Sequence, residues 1–503
     1  MSGVEAADGF ETSRACFEEA VGWLTGIEAG AMSHGELEDQ LDHRGRELLR
    51  RMYQDHLSLR AANESRLETV KDAESCPHGA VETGHRRPLS TVFGEVSVER
   101  FAYRRRGHPN LYPADGLLNL PTEHHSHGLR RLVAQEATRG SYEEAGQALE
   151  RATGVHVAKR QVEALAGRAA SDVEEFYEKR VRPEEEESVA ADDDVLVISA
   201  DGKGIVMRPD ALRPATQRAA GKATNKLECR LSKGDKRNRK RLAEVGAVYD
   251  LTPVSRTPAD VLASKEGDAP PPAPKAKAKW VTASVVEDAA SVIKKIFDEA
   301  QRRDPDHTRT WVALVDGNNH QIDRIEKEAA TRGLRVSIVV DLIHVMEYLW
   351  GAVWCFFTEG DPGAEAWVRD RALAVLEGNA REVASGIRRR ATAARLSKQK
   401  RTKADACATY LINKAPYLDY PTALAEGWPV ASGVIEGTCR YLVADRMDIT
   451  GARWSVDGAE AVLKLRAVRA NDDFDDYWRF HLHRERQRIH ETRYAGGLLP
   501  AAA

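Results

Sequence analysis

The segment VLVISADG, residues 195–202, decides the fold, because it places an acid and a glycine directly after an apolar run of strand length. A run of this kind is typical of a buried strand, and its acid, Asp201, would be held rigidly where the strand ends. Residues 311–317, WVALVDG, repeat the pattern with Asp316. The glycine after each acid leaves room for another group to approach it closely. Together the segments predict two carboxylates on neighbouring strands, although either segment alone is more often a turn.

Predicted strands and helices alternate around these two segments, from residue 195 to about residue 350. They comprise strands at 204–207, 243–251 and 335–340 and helices at 284–302 and 322–332. The stretch 270–279, rich in Pro, Lys and Ala, is expected to be a mobile loop. Such alternation favours an α/β sheet whose strands are parallel in part.

The chain has 503 residues, which is enough for several domains. Helical periodicity recurs outside the alternating region, and the alternation at 89–103 predicts a β-hairpin. The fold class is therefore multidomain α/β (α+β). The predicted regions are an N-terminal helical region (1–75), a β-hairpin and loop-rich module (76–125), a helix-turn-helix region (126–185), the first part of the α/β core (186–350), a helical insertion (351–430), and the last part of the core with C-terminal helices (431–503).

Residues 141–170 have the pattern of a helix-turn-helix. A short helix begins near Ser141, a turn contains Gly154, and a second helix begins near Ala158. Arg160 and Gln161 stand near the start of the second helix and are candidate DNA contacts. A plain hairpin of two helices has the same pattern, so both interpretations stay open.

The charge balance taken alone argues against a nucleic-acid partner, because the formal net charge is −4. Local fields matter more than the average, and the basic residues concentrate at 222–241 and 388–403. A solvated face is the plain alternative for either cluster. The candidate DNA-binding residues in these clusters are Lys236, Arg237, Arg239, Lys240, Arg388, Arg389, Arg390, Lys398, Lys400 and Arg401.

The six cysteines include no CxxC pair, which favours reduced thiols in a cytosolic protein. No signal pattern and no apolar run of membrane-spanning length occurs. We therefore expect a cytoplasmic, nucleoid-associated protein. Cys76, His78, His85 and His108 fit no zinc-binding spacing, and we expect these histidines to be scattered on the surface.

A third acid, Glu436, is the single charged residue in the run ASGVIEG at 431–437. Phosphodiester hydrolysis or transfer needs a nucleophile and a stabilised leaving oxygen, which two Mg²⁺ ions about 3.5–4 Å apart can serve. Carboxylates are the hard oxygen ligands that hold such ions. We therefore expect Asp201, Asp316 and Glu436 to be the catalytic and metal-binding residues. Asp341 also ends a predicted strand and competes with Asp316 for this role.

Four motifs together carry a resemblance to a known family. They are DGKG at 201–204, VDGN at 315–318, DLIH at 341–344 and SGVIEG at 432–437, the last continuing into RM at 446–447 and GARWS at 451–455. In this arrangement the chain resembles the DDE transposases with an RNase H-like fold. Within them it is similar to the ISKra family of bacterial insertion sequences, which is related to the Mutator-like group. The resemblance covers about residues 75–470.

The resemblance implies an RNase H-like catalytic core with a helical insertion, preceded by the helical, β-hairpin and helix-turn-helix regions. It implies that Asp201, Asp316 and Glu436 form the catalytic triad. It assigns Asp341 and His344 to a C/D-x-x-H motif, whose histidine would contact a DNA phosphate or orient a catalytic carboxylate. From the residues alone, an Asp341 that caps a helix beside a satisfied His344 remains the alternative.

The implied function is a transposase that binds the terminal inverted repeats of its element and catalyses metal-dependent strand cleavage and strand transfer. Mg²⁺ is the implied cofactor, Mn²⁺ is able to substitute, and no organic cofactor is expected. The implied partners are DNA, as element ends and as target, and further copies of the chain in a homodimer or larger assembly on DNA; no membrane partner is expected. Two alternatives are a catalytically inactive DNA-binding protein descended from a transposase, and another RNase H-like metal-dependent DNA nuclease.

Overall fold

The chain is described here by a computed structural model. It describes residues 9–180, 194–222, 239–262, 273–449 and 451–500. The chain folds into two compact units, of which the first combines Met1–Lys179 with Asp472–Ala503 and the second comprises Arg180–Asn471. Among the helices in the described ranges, none combines the length and the apolar content that crossing a lipid bilayer requires.

The first unit begins with helices and a β-hairpin. Its elements up to residue 179 are helices α1 (Glu11–Leu24), α2 (Ile27–Gly30) and α3 (His34–Ala62), strands β1 (Val70–Lys71), β2 (Pro77–His78), β3 (Ala80–Thr91) and β4 (Gly94–Arg104), and helices α4 (Pro113–Leu117), α5 (His127–Ala137), α6 (Tyr142–Thr153), α7 (Lys159–Ala169) and α8 (Val173–Glu178). β3 and β4 are antiparallel, with Thr91 opposite Gly94 at the turn, as the alternation predicts. The hairpin packs on α3 through an apolar cluster that includes Leu57, Leu89 and Val96.

The helices α5, α6 and α7 pack against one another. Ser141 caps α6 by accepting a hydrogen bond from the Glu144 N–H at 3.1 Å, and Gly154 ends it in the left-handed conformation at φ +71°. The next helix, α7, begins at Lys159. Two helices joined by a short turn are therefore present where the sequence predicts them.

The second unit is built on a mixed sheet. Its first elements are β5 (Val195–Val206), a 3₁₀ turn (Pro209–Ala211), α9 (Pro214–Gly221), β6 (Lys240–Leu251), α10 (Pro258–Val261), β7 (Ala276–Ser284), α11 (Ala289–Arg303), β8 (Trp311–Val315), α12 (Asn319–Arg332) and β9 (Val336–Val340). Within the described residues the sheet has five strands in the order β7-β6-β5-β8-β9. β6 is antiparallel to both β5 and β7, whereas β8 and β9 run parallel to β5. The predicted α/β sheet, parallel in part, is confirmed.

Burial explains why β8 has a continuous apolar sequence. All five residues of β8 are buried, and α11 presents Ile293, Ile296 and Phe297 as buried residues. A strand covered on both faces by crossover helices has no solvent-facing side, so it does not alternate. Each such side chain contributes about 1.5–3 kcal/mol when fully buried.

Two sequence-based expectations differ from the structure. β5 does not end at Asp201 but continues to Val206, because β6 pairs with it as far as Val206 and Lys240. The loop expected at 270–279 is in part a strand, since Lys277 and Lys279 lie in β7. β7 is at the edge of the sheet, where exposed lysines are a common protection against unwanted strand pairing. A composition rich in lysine and alanine therefore concealed a strand.

The rest of the second unit is helical, as predicted for 351–430. Its elements are α13 (Leu342–Val353), α14 (Pro362–Leu376), α15 (Ala380–Ala393), α16 (Thr402–Lys414), a 3₁₀ turn (Ala415–Tyr417), α17 (Tyr420–Ala425), α18 (Gly433–Thr438), a π-helical segment (Cys439–Ala444), α19 (Asp445–Met447) and α20 (Val456–Ala470). α18 packs against β5 and β6, and the π-helical segment packs against β5. These contacts fix the segment that carries Glu436 over the sheet.

The C-terminal segment returns to the first unit, whereas the sequence grouped 431–503 together. It contains helix α21 (Phe474–Ile489) and two 3₁₀ turns, Glu491–Arg493 and Ala495–Gly497. His481 Nδ1 lies 2.6 Å from Asp172 Oδ2, and Arg488 donates to Asp172 Oδ1 at 2.9 Å. Tyr477 donates its hydroxyl to the Ala169 carbonyl. This buried polar network attaches α21 to the end of α7 and the start of α8.

Candidate active site

Three neighbouring strands bring three acids into line: Asp201 lies within β5, whereas Asp316 and Asp341 directly follow β8 and β9. Ser199 of β5 pairs with Leu314 of β8, and Val315 of β8 pairs with Val340 of β9. Continued along the chain, the same two registers place Asp316 beside Asp201 on one side and beside Asp341 on the other. Neighbouring strands lie about 4.7–4.9 Å apart. The two aspartates predicted from the sequence are therefore neighbours at one end of the parallel part of the sheet.

Asp201 is held by the backbone N–H of the next residue and by a cysteine. Its Oδ1 accepts a hydrogen bond from the Gly202 N–H at 2.6 Å, and its Oδ2 accepts one from the Cys439 thiol at 3.3 Å. Burial, together with the charge of Asp201, raises the pKa of the Cys439 thiol. The thiol therefore stays protonated and donates to the carboxylate. This contact attaches the π-helical segment after Glu436 to β5.

Asp316 is positioned by the loop that follows β8 and by the helical insertion. Its Oδ1 accepts a hydrogen bond from the Asn318 N–H at 2.7 Å, and the Tyr410 hydroxyl donates to its backbone carbonyl at 3.3 Å. Gly317 has φ +88°, and a Cβ at that position would lie 2.8 Å from the Tyr410 hydroxyl oxygen. Glycine is required here both by the backbone conformation and by the approach of the tyrosine.

Asp341 is fully buried and accepts three hydrogen bonds. Its Oδ1 accepts from the Ile343 N–H at 2.6 Å, which caps α13. Its Oδ2 accepts from the Ser432 N–H at 2.9 Å and from the Ser432 hydroxyl. The capping role left open by the sequence is therefore present. In addition, Asp341 anchors the residue that immediately precedes α18.

Glu436 is exposed on α18 and lies near the C/D-x-x-H pair. One ligand atom from each of Glu436, Asp341 and His344 falls within 4.8 Å of the other two. His344 also contacts Glu347, with its Nδ1 3.2 Å from a carboxylate oxygen. Among the described residues, Asp201, Asp316 and Glu436 do not form an equally compact group. Asp201 and Glu436 both lie near Cys439, since the charges of both raise the pKa of its thiol in addition to the effect of burial.

The donor set fits a hard divalent cation. Asp201, Asp316 and Glu436 offer carboxylate oxygens, which Mg²⁺ prefers over nitrogen or sulfur. Glu436 is exposed on α18, so its carboxylate is accessible to a cation.

A cleft of about 510 Å³ opens beside Asp316. Its lining includes His344, Tyr348, Lys403 and Tyr410. The rings of Tyr348 and Tyr410 are stacked, with centroids 3.9 Å apart and an interplanar angle of 15°. Such a cleft offers an aromatic face, a cation and an acid in one place.

The charges of Asp201 and Asp316 affect the pKa values of two further ionisable groups, Glu244 and Lys414. Burial raises the pKa of Glu244, and the charge of nearby Asp201 raises it further. Burial lowers the pKa of Lys414, although the charge of Asp316 acts against this. The Lys414 ammonium donates to the Asn319 side chain at the start of α12. Burial is the larger cause of both shifts, and the charges of Asp201 and Asp316 add to it at Glu244 and oppose it at Lys414.

Of the candidate DNA contacts in the first unit, one is exposed and the other forms a hydrogen bond within its own helix. Arg160 is exposed on α7. Gln161 accepts a hydrogen bond from the Ala158 N–H at 3.1 Å, so its oxygen closes the first turn of its own helix. Arg239 and Lys240 lie at the start of β6. Lys236 and Arg237 lie outside the described residues.

The candidates in the helical insertion fall into two groups. Arg388, Arg389, Lys398 and Lys400 are exposed, and Arg388 also donates to the Thr409 hydroxyl at 3.0 Å. Two others are engaged within the insertion. The Arg390 guanidinium lies 4.7 Å from the centre of the Phe357 ring, and Arg401 forms an ion pair with Asp405 at 2.8 Å.

Three residues of the site were missed by sequence reasoning, namely Cys439, Tyr410 and Ser432. Cys439 follows Glu436 by three residues, and that helical spacing could have indicated a shared face. Tyr410 reaches Asp316 across 94 positions, and Ser432 reaches Asp341 across 91 positions. No local pattern connects residues so far apart in the chain.

The chain matches no model of a known protein family, and it matches no curated protein.

Proposed function

We propose that this chain is a DDE transposase of the ISKra type, and that Asp201, Asp316 and Glu436 are its catalytic residues. The observation that carries the proposal is the register of the parallel strands. It sets Asp201 and Asp316 side by side at one end of the parallel part of the sheet, while α18 holds Glu436 over β5 and β6. Acids from adjacent strands and a covering helix are what metal-dependent phosphate chemistry needs.

The architecture of the second unit supports an RNase H-like core. An antiparallel group, β5 to β7, precedes two strands that run parallel to β5. The helices α14 to α17 then stand between the last strand and the helix that carries Glu436. A helical segment inserted between the second and the third acid matches the organisation that the resemblance implies.

In this proposal, cleavage joins a water oxygen to the phosphorus atom at the element end and breaks the bond to the 3′ oxygen. The released 3′-hydroxyl then attacks a phosphorus atom of the target DNA and displaces the 3′ oxygen of the target strand. No covalent protein intermediate forms in this scheme. Mg²⁺ held by the three carboxylates would supply charge neutralisation at the reacting phosphate. The Lys403 ammonium, at the rim of the cleft beside Asp316, is placed to contact a neighbouring phosphate.

Recognition of DNA is assigned in the proposal to two surfaces. The helix pair α6 and α7 exposes Arg160 near the start of its second helix, where a recognition helix makes its base contacts. The exposed cations of the helical insertion would hold phosphates, so their contribution should fall as salt increases.

A cleavage assay tests the proposal. The substrate is a duplex carrying a terminal inverted repeat from the DNA that flanks the gene, with Mg²⁺ or Mn²⁺ added. Asp201→Asn, Asp316→Asn and Glu436→Gln should each abolish cleavage and leave duplex binding nearly unchanged. Asp323→Asn, which alters an exposed acid on α12, is the matched control and should cleave like the wild type.

Each outcome of the assay has a definite reading. Cleavage at the wild-type rate by any of the three variants removes that residue from the triad. End binding by the wild type without cleavage in either metal indicates a DNA-binding protein that is no longer catalytic. A preference for branched DNA over element ends indicates a different metal-dependent nuclease.

A further inference from the structure

A second group of metal-ligating side chains lies in the first unit, between two turns that flank the hairpin of β3 and β4. The first turn joins β1 to β2 and is closed by the Asp72 N–H, which donates to the Cys76 carbonyl at 3.0 Å, and by the Cys76 N–H, which donates to Asp72 Oδ1 at 2.8 Å. The second turn follows β4 and is closed by the His108 N–H, which donates to the Arg105 carbonyl at 3.1 Å. These hydrogen bonds fix the backbone of both turns and therefore the positions from which the Asp72 and His108 side chains extend.

The three side chains have the spacing of ligands around one ion. Asp72 Oδ2 lies 3.2 Å from His78 Nε2 and 3.2 Å from His108 Nδ1. All three atoms fall within 4.8 Å of one another. Two ligands at about 2.0–2.1 Å from a tetrahedral ion lie about 3.3 Å apart. The two observed separations therefore match neighbouring positions of a tetrahedral coordination shell.

The orientation of His78 points to a cation between the side chains. His78 is 0% exposed, so the expectation that it lies on the surface is wrong. Its Nδ1 lies 3.3 Å from the Tyr103 carbonyl oxygen, which only accepts hydrogen bonds, so the tautomer that satisfies this contact carries its hydrogen on Nδ1. In the neutral ring Nε2 then presents a lone pair to the Asp72 carboxylate. Two acceptors face each other at 3.2 Å, and a metal ion or a proton must lie between them.

We propose that Asp72, His78 and His108 bind a divalent transition-metal ion of the zinc class. Two imidazoles and one carboxylate suit zinc, whereas magnesium favours oxygen ligands alone. A metal-binding histidine usually donates its other ring N–H to a carbonyl or a carboxylate, as His78 does to Tyr103. Three protein ligands leave the fourth position to water. The bound ion would fasten the turn after β4 to the turn before β2.

The competing explanation is a proton in place of the metal, which makes His78 an imidazolium bound to Asp72. The two explanations differ in a measurable way. A metal ion would be taken up with a stoichiometry of one by metal-free protein, and uptake would weaken on acidification, because the histidines must be neutral to bind it. A protonated histidine would take up no metal.

The experiment uses the full chain stripped of metal by a chelator and titrated with Co²⁺, whose visible absorption reports four-coordinate binding. An Asp201→Asn, Glu436→Gln background keeps the other carboxylate cluster from contributing. One equivalent of Co²⁺ should give the four-coordinate spectrum, and Zn²⁺ should displace it. His108→Asn should weaken binding by more than about 100-fold, since loss of a group that only orients a ligand already costs about 10–100-fold.

The variants are chosen so that folding and binding can be separated. His108 lies in a turn and its side chain is 28% exposed, so its replacement should leave the far-UV circular dichroism spectrum unchanged. Asp72→Asn provides a second test of the same site. His85→Asn is the matched control, because His85 lies on the same hairpin and pairs with Glu82 at 2.8 Å outside the cluster. Absence of stoichiometric uptake by the parent protein, or a spectrum unaffected by both ligand substitutions, would overturn the proposal.

Discussion

Ser432 donates both its backbone N–H and its hydroxyl to a single carboxylate oxygen of Asp341, 91 residues earlier in the chain. Ser432 immediately precedes α18, and Asp341 caps α13 with its other oxygen. The pair therefore joins the strand end after β9 to the helix that carries Glu436. In this arrangement Asp341 is a positioning residue, and its buried charge is satisfied by three donors.

Asp341→Asn should destabilise the second unit and displace Glu436. An amide has only one accepting oxygen, so its NH₂ group must face either the Ile343 N–H or the two Ser432 donors. A buried donor left without an acceptor costs about 1–3 kcal/mol. Urea unfolding should show a loss of that size, and cleavage should require a higher Mg²⁺ concentration than in the wild type.

Ser432→Ala should destabilise the second unit less than Asp341→Asn does. It removes one donor but leaves the backbone N–H and the carboxylate in place, so a loss of about 0.5–1.5 kcal/mol is expected. If Asp341→Asn proves as stable as the wild type and keeps its Mg²⁺ dependence, the Ser432 contact does not position α18.

The sheet was predictable where burial leaves a strong local pattern. The apolar runs of β5, β8 and β9 identify them as strands, and the acids that follow β8 and β9 are visible in the sequence. β7 was not predictable, because an edge strand carries lysines that resemble those of a loop. The end of β5 was misplaced for a different reason, since the partner strand β6 continues its hydrogen bonding past Asp201.

The candidate site was predictable only in its individual acids. Which acids lie together depends on strand register and on the packing of α18, and neither is encoded within a short window. The burial of His78 was likewise not predictable from a short stretch of sequence. A histidine in a short segment gives no sign of burial, yet its ring is enclosed and bonded to the carbonyl of Tyr103, 25 residues away.

Cys439 should matter through its hydrogen bond rather than its reactivity. Cys439→Ser keeps a donor for Asp201, whereas Cys439→Val removes the donor at similar volume. Groups that orient a metal ligand typically change affinity or activity by about 10–100-fold when removed. Cys439→Val should therefore raise the Mg²⁺ concentration needed for half-maximal cleavage by about tenfold or more, with Cys439→Ser close to the wild type. Equal metal dependence of the two variants would assign Cys439 to packing alone.

Gly317→Ala should cost more stability than its backbone conformation explains. Ala in a left-handed conformation costs roughly 1–2 kcal/mol, and the new Cβ would also lie 2.8 Å from the Tyr410 hydroxyl oxygen. Gly360→Ala is the matched control, because Gly360 has φ +86° and no atom within 4 Å of the added Cβ. The larger loss at Gly317, measured by urea unfolding, should shrink in a Tyr410→Phe background. An undiminished loss there would show that the hydroxyl is not the obstacle.

The buried carboxylate of Asp172 should make the stability of the first unit depend on pH. Burial opposes its ionisation, but hydrogen bonds from His481 and Arg488 outweigh burial and hold the pKa of Asp172 well below its ordinary value. In the unfolded chain the carboxyl titrates at about pH 3.9. Because the folded pKa is the lower of the two, the stabilisation is complete above about pH 5. It is lost progressively as the pH falls through the unfolded value towards the folded one.

Asp172→Asn should therefore be costly at neutral pH and less costly in acid. Removing one partner of a buried ion pair lowers the free energy of unfolding by about 3–5 kcal/mol. At pH 3 part of this loss should have disappeared, because the wild type has itself begun to lose the interaction. Asp475→Asn is the matched control, since Asp475 pairs with Arg131 on the surface with 74% of its side chain exposed. An exposed pair contributes about 0–1 kcal/mol and little pH dependence. Urea unfolding at pH 7 and pH 3 measures both variants, and an equal cost of Asp172→Asn at the two pH values would mean that folding leaves the pKa of Asp172 unchanged.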